Sequence, residues 1–180
     1  MKLSIIIIGD EILLGRVTDT NSGLIARVFS EQGWQVAGVR TVGDNAADIR
    51  DAIEASLAAS DLVITTGGLG PTRDDITKGV MTEIFGGTLV EDPDVSRNVE
   101  RIFAERGLQL NDLTRRQAWV PTSCRVIMNA LGTAPLMWFE RDGHVLVAMP
   151  GVPFETRGML PEVRRRVSEH FGMADHIMHR

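Results

Sequence analysis

Residues 65–77 read TTGGLGPTRDDIT, a stretch that joins two chemistries that ordinarily repel. Gly67, Gly68 and Gly70 permit positive φ and close backbone approach to a ligand, as in turns that cradle phosphate. Asp74 and Asp75 then place two carboxylates where the charge of an anion would lie. A carboxylate is tolerable there if it shares a divalent cation with the phosphate oxygens, or if it activates a nucleophile. The pattern points to metal-assisted chemistry on a phosphate ester or anhydride. One of the two acids is explained as a helix N-cap; the pair exceeds what a cap needs.

Other residues join this set through the elements that carry them. Asp10 and Glu11 follow the first apolar run, and Asp44 follows the second strand, so all three are expected at one edge of a parallel sheet. Taken singly, each also reads as a cap or turn residue. Thr66, Gly67, Gly68, Leu69 and Gly70 are expected to bind the substrate anion, with Arg73 beside them. The late turn PGVP adds Pro150, Gly151 and Pro153. The metal candidates are Asp10, Glu11, Asp74 and Asp75. The familiar phosphate motifs do not match: Lys78 falls a helical turn too late for a P-loop, and GLGPTR lacks the third glycine of the dinucleotide fingerprint. Glycines alone are compatible with a turn built only for geometry. His176 and His179 have i, i+3 spacing without a third ligand and read as surface.

The elements that must position these residues alternate strand and helix. Leu3–Ile8 reads as a strand covered on both faces. Asn21 and Ser22 are expected to cap a helix carrying Leu24, Ile25, Val28 and Phe29, which ends at Gly33. A strand near Val36–Val42 precedes a helix capped by Asp44 or Asn45, with Ile49, Ile53 and Leu57 on one face. DLVITT is the third strand, and Ile76, Val80, Met81, Ile84 and Phe85 mark the helix after the glycine turn. Asp92 and Pro93 open a helix closed by Gly107. A shorter helix near Leu113–Trp119 stops before Pro121. Strands follow at Arg125–Met128, Ala134–Phe139 and His144–Met149, the last two joined by a tight turn at Asp142-Gly143. A helix starts near Phe154, and Pro161 is expected to begin another. The class is α/β: a mostly parallel sheet between helices, with an antiparallel hairpin.

Composition narrows the function. The 180 residues carry a formal charge of −5, which argues against a nucleic-acid partner. The basic triplet Arg164–Arg166 reads as a solvated helix face. The apolar start is too short for a signal core or a membrane span, so no membrane partner is expected. The lone Cys124 permits no internal disulfide and reads as a structural thiol, which fits a cytoplasmic setting.

The spaced motifs GDEILLG…TDTNS, TVGD, TTGGLGPTRDDIT, NALGTAP and MPGVPFE, in this order, resemble the competence/damage-inducible protein A (CinA) family. Its N-terminal domain is similar to the molybdopterin-binding proteins. The resemblance runs from about Leu3 to the helix after Pro153. It implies a three-layer α/β/α fold over 1–171, with 172–180 the start of a continuation toward an amidase domain. It implies an anion pocket made by the TTGG and PGVP turns, binding a nucleotide or pterin. It further implies a pyrophosphatase acting on ADP-ribose with Mg²⁺, Mn²⁺ or Co²⁺, and a homo-oligomer. Asp44 and Asp75 correspond to catalytic aspartates of the relatives that adenylylate molybdopterin, which keeps adenylyl transfer open; a non-catalytic binding module is the third reading. Leu136 and Thr156 stand where the family usually has Gly and Met, and Leu136 is expected to reshape the pocket rim.

Overall fold

The run KLSIIII forms strand β1 (Lys2–Ile8), which lies inside the sheet with neighbours on both sides. The computed structural model describes residues 1–71 and 74–173, with only the backbone of Asp74 and Asp75. After β1 come α1 (Asp10–Leu13), α2 (Asn21–Glu31), β2 (Gln35–Val42), α3 (Ala46–Ala59), β3 (Leu62–Gly67) and α4 (Asp74–Phe85). The second half carries β4 (Leu89–Glu91), α5 (Pro93–Glu105), α6 (Asp112–Arg115), a 3₁₀ turn (Arg116–Ala118), β5 (Trp119–Pro121), β6 (Arg125–Ile127), β7 (Leu136–Arg141), β8 (His144–Met149) and α7 (Pro153–His170).

Among the described residues, six strands form one sheet in the order β2-β1-β3-β8-β7-β6. The pairs β1–β2, β1–β3 and β3–β8 are parallel, and β7 runs antiparallel to β8 and β6. Alternation along the strands sorts the core into two layers. Leu3, Ile5, Ile7, Leu62, Ile64, Val145 and Val147 pack with Ile25 and Phe29 of α2 and with Leu160, Val163 and Val167 of α7. Ile6, Ile8, Val63, Leu146 and Ala148 face Ile49, Ile53 and Leu57 of α3 and Val80 and Met81 of α4. The fold is the expected three-layer α/β arrangement with an antiparallel end. At the hairpin, Asp142 and Gly143 take φ of 52° and 81°, the left-handed pair that suits a two-residue turn.

Several local expectations need correction. Pro161 lies inside α7 rather than at the start of another helix. Met159, Leu160, Val163 and Val167 are all buried, so packing on the sheet carries the helix through the hydrogen bond that proline removes. The N-cap position of α2 is Thr20, without a side-chain cap bond; Asp19, one residue earlier, takes that part, its Oδ1 accepting from the amides of Asn21 and Ser22 at 3.0 and 3.1 Å. Asn45 alone caps α3, accepting from the Asp48 amide at 2.9 Å. The helix expected over Leu113–Trp119 is α6 followed by the 3₁₀ turn, and Trp119 opens β5 instead. That strand pairs with β4, a short strand with too few residues to show a period. The Arg164–Arg166 triplet is a solvated face as expected, where Glu162 and Glu169 pair with Arg165 and Glu162 with Arg166. Among the described residues, no helix is long and apolar enough to cross a membrane.

Candidate functional site

The carboxyl ends of β1, β2, β3 and β8 lie side by side because those strands are parallel. The register pairs Ile8 with Val42 and with Gly67, and Thr66 with Met149. The turns that leave these ends therefore meet at one edge, where ligands bind in open α/β sheets.

Two of the acids are interlocked there. The Asp10 amide donates to Asp44 Oδ2 at 2.9 Å, and the Asp44 amide donates to Asp10 Oδ1 at 3.0 Å. Each carboxylate thus takes a charge-assisted hydrogen bond from the other residue's backbone. Gly43 makes room for this clasp, since a Cβ there would lie 2.7 Å from Asp10 Oδ1. Both aspartates are half-buried, whereas Glu11 is exposed and its carboxylate folds back over Gly9.

The glycine turn approaches the same edge. Gly67 and Gly68 have φ of 89° and 72°. A side chain at Gly67 would run into the Ile8 carbonyl, and one at Gly68 into Thr77 Oγ1 and Ile8. Thr77 Oγ1 is buried beneath the turn without a hydrogen-bond partner among the described residues. Thr66 and Leu69 are buried, and the Leu69 side chain lies in the core. Gly70 is exposed with open space around it. Asp74 and Asp75 are the first two residues of α4, so both belong to its first turn. Acids there are favoured by the positive end of the helix dipole. Arg73 and the side chains of Asp74 and Asp75 lie outside the described residues.

The PGVP turn closes the other side. A Cβ at Gly151 would lie 3.0 Å from Gly67 Cα, so the two glycine turns touch backbone to backbone. Pro150 is buried, whereas Pro153 is the exposed first residue of α7. Asn21 Nδ2 donates to the Gly151 carbonyl at 2.9 Å, binding the head of α2 to this turn. The hydroxyl of Thr156 donates to the Pro150 carbonyl at 2.9 Å, a bond a methionine could not supply. Leu136 corrects another expectation: it is fully buried in the layer facing α2 and α7, so it packs the core and not a pocket rim.

Other contributors escaped the sequence reading because their bonds span distant segments. Gln117 Nε2 donates to the Leu69 carbonyl at 3.0 Å, and the buried Lys78 Nζ donates to the Gln117 carbonyl at 3.2 Å. In NALGTAP, Asn129 Nδ2 donates to Glu155 Oε1 at 2.7 Å, and Asn98 Nδ2 donates to the Asn129 carbonyl at 2.8 Å. Burial pushes the Glu155 carboxyl above its ordinary pKa, opposed by the Asn129 bond and the charge of Arg106. Cys124 is half-buried and its thiol is pushed up to about 11, mainly by desolvation. It is protonated at neutral pH and unsuited to attack.

The arrangement offers hard oxygen donors beside a turn fit for an anion. That donor chemistry suits Mg²⁺, Mn²⁺ or Co²⁺ shared with phosphate. Among the described residues no group of three or more His, Cys, Asp or Glu side chains gathers; the clasp brings two acids together.

Known proteins share this fold. The family model "Probable molybdopterin binding domain" matches residues 4–170. A CinA-like protein of Cytophaga hutchinsonii is 42% identical over 176 residues, 98% of this chain and 42% of that protein. Another, of Gemmatimonas aurantiaca, is 44% identical over 90% of this chain and 38% of its own length. The chain thus spans about two fifths of these relatives. The crystal structure of CinA from Thermoplasma acidophilum superposes with a TM-score of 0.82 at 34% identity, covering 92% of this chain and 97% of that one. The molybdopterin biosynthesis Mog protein of Mycobacterium ulcerans shares the fold at 18% identity and a TM-score of 0.63, covering 96% and 99%. The shared fold, the motif-bearing turns at one sheet edge and the match over nearly the whole length lead to one assignment: this chain belongs to the CinA-like, competence-damage inducible protein family and to the family of the probable molybdopterin binding domain.

Proposed function

We propose that this domain hydrolyses the phosphoanhydride of a nucleoside diphosphate derivative such as ADP-ribose, with a divalent metal. The observation that carries the reading is the Asp10–Asp44 clasp at the sheet edge where the positive-φ Gly67-Gly68 turn ends β3. Amides of such a turn, with the N-terminus of α4 behind them, attract the diphosphate. Asp10 and Asp44 would hold the cation, with Glu11, Asp74 and Asp75 the further acids of the motifs. The chemistry a divalent cation supplies in such a site is neutralisation of phosphate charge and activation of water. Asp44, held by the Asp10 amide, would orient the attacking water. That water adds to one phosphorus, the bridging P–O bond breaks, and the products are AMP and ribose 5-phosphate.

The test is incubation with ADP-ribose and Mg²⁺, Mn²⁺ or Co²⁺, with products separated by chromatography. AMP and ribose 5-phosphate in equal amounts support the reading; intact ADP-ribose with all three metals removes it. The match to a molybdopterin-binding family model keeps a second reading, adenylyl transfer from ATP. That reading requires ATP to be consumed only when molybdopterin is present.

A further inference from the structure

Glycines make the turn after β3 pliable, yet one of its peptides is fastened from within. Gly67, Gly68 and Gly70 leave three of the four positions 67–70 without side-chain restraint. Leu69, the fourth, is pinned twice. Its side chain is 2% exposed and packs in the layer facing α3 and α4. Its carbonyl accepts from Gln117 Nε2 at 3.0 Å, a buried bond across 48 residues of sequence.

The donor stands on firm ground. Gln117 is 1% exposed, and its own carbonyl accepts from the buried Lys78 Nζ of α4 at 3.2 Å. The next residue, Ala118, packs with Val95 and Val99 of α5, and its carbonyl accepts from the Asp92 amide at 2.8 Å. Gln117 Oε1 is buried without a hydrogen-bond partner among the described residues. An unmade bond at a buried amide oxygen costs stability, and an apolar side chain would fill the same space without that cost. What glutamine alone brings here is the N–H that holds Leu69. That bond also sets the direction of a second group. In a trans peptide the C=O and the following N–H point opposite ways. With the Leu69 carbonyl turned inward to Gln117, the Gly70 N–H is turned outward. Gly70 is exposed, with open space where a side chain would stand.

We propose that Gln117 is a positioning residue for anion binding: by holding the Leu69 carbonyl it aims the Gly70 N–H at a phosphate oxygen seated on the glycine turn. This role rests on the glycine turn being the anion site of the proposed function, and it asks nothing of the metal or of the attacking water. An amide fixed in direction before the ligand arrives loses little freedom when the anion binds.

The protein, free of divalent metal, is titrated with inorganic pyrophosphate and followed by calorimetry and by amide-resolved NMR. In the wild type the Gly70 amide resonance should move and saturate with the Kd that calorimetry gives. A Gly70 signal that stays still while pyrophosphate binds overturns the proposal without any variant. Gln117→Met keeps a side chain of similar length and removes the donor. It should weaken pyrophosphate roughly tenfold, the scale of one hydrogen bond to a charged group, and shrink the Gly70 response. Gln117→His returns a ring N–H of similar reach and should recover most of the affinity. A merely structural glutamine predicts a lower Tm in Gln117→Met with pyrophosphate affinity and the Gly70 shift unchanged. That outcome overturns the positioning role, as does a wild type that binds no pyrophosphate. The two readings fail separately. Gln117-dependent pyrophosphate binding without hydrolysis of ADP-ribose keeps the positioning role and removes the hydrolase. Hydrolysis with an unchanged KM in Gln117→Met does the reverse.

Discussion

Asp10 and Asp44 show how a single residue can serve backbone and chemistry at once. Each carboxylate accepts the other's amide, so the acids are brought together by the turns that carry them. Asparagine retains an oxygen for that bond, and Asn45 does the capping of α3. Asp44→Asn should therefore melt within ~1 kcal/mol of wild type, while turnover falls roughly a hundredfold or more. Thermal melts and a saturating-metal rate assay check both halves; a wild-type rate would leave Asp44 a turn residue. Gly68→Ala should behave differently. Its φ of 72° and the closeness of Ile8 and Thr77 leave no room for a methyl. A loss of about 2 kcal/mol in denaturant unfolding is expected, together with weaker nucleotide binding. The convergence of Asp10 and Asp44 was legible in the sequence because parallel strands must end at one edge. The reciprocal bond was not, because it depends on the register of Ile8 against Val42, which no local pattern encodes.

At the scale of elements, α7 does the most to unite core and site. Its proline is exposed on the outer face, while Leu160, Val163 and Val167 bury the inner one. Pro161→Ala restores an amide to the helix and removes the ring's crowding of the preceding turn. A gain of about 1–2 kcal/mol in unfolding free energy is expected, some of the benefit being offset by a freer unfolded chain. Sequence reading broke the helix there because proline punctuation is local and the buried stripe is tertiary. The first turn of α7 also holds Glu155 against Asn129 and Gly132. Its pKa is raised by burial. The folded state therefore binds this proton more tightly than the unfolded state does. The stability it contributes is full below the ordinary glutamate range near 4 and is lost as pH rises through the folded value. Glu155→Gln removes that loss and retains an oxygen for Asn129. Melting curves should show the variant above wild type at pH 8 and level with it near pH 4; a constant offset across pH would assign the effect to packing.

For the whole molecule, the architecture was the most legible layer. Alternating apolar runs and capped helices dictate βα units, and right-handed crossovers then leave few sheets to choose from. The β4–β5 pair was not legible. Three-residue strands have no period to read, and their pairing lies across α5. Turns from β1, β2, β3 and β8 supply the candidate site, so a ligand bridging them favours the folded chain over any partly opened one. In the absence of divalent metal, ADP-ribose at about a hundred times its Kd should stabilise the protein by about 2.7 kcal/mol, a rise of roughly 5–10 °C in Tm. An unchanged melt at that concentration would separate the glycine turn from nucleotide binding.

The pairing of β3 with β8 also has a consequence in time. Residues 62–66 find their partners at 145–149, so the middle of the sheet closes only after most of the chain has been made. Before that, the strand Leu-Val-Ile-Thr-Thr has β1 on one side and an open apolar edge on the other. Such edges recruit other chains during slow, non-local pairing. The Gly67–Gly151 contact joins the same two regions, so the event that seals this edge also brings the two glycine turns together. A nascent chain ending before His144 would have the first three strands, the clasped aspartates and the glycine turn, yet only half the walls of a site. Competence to bind and protection from aggregation would arrive together, with the last strand.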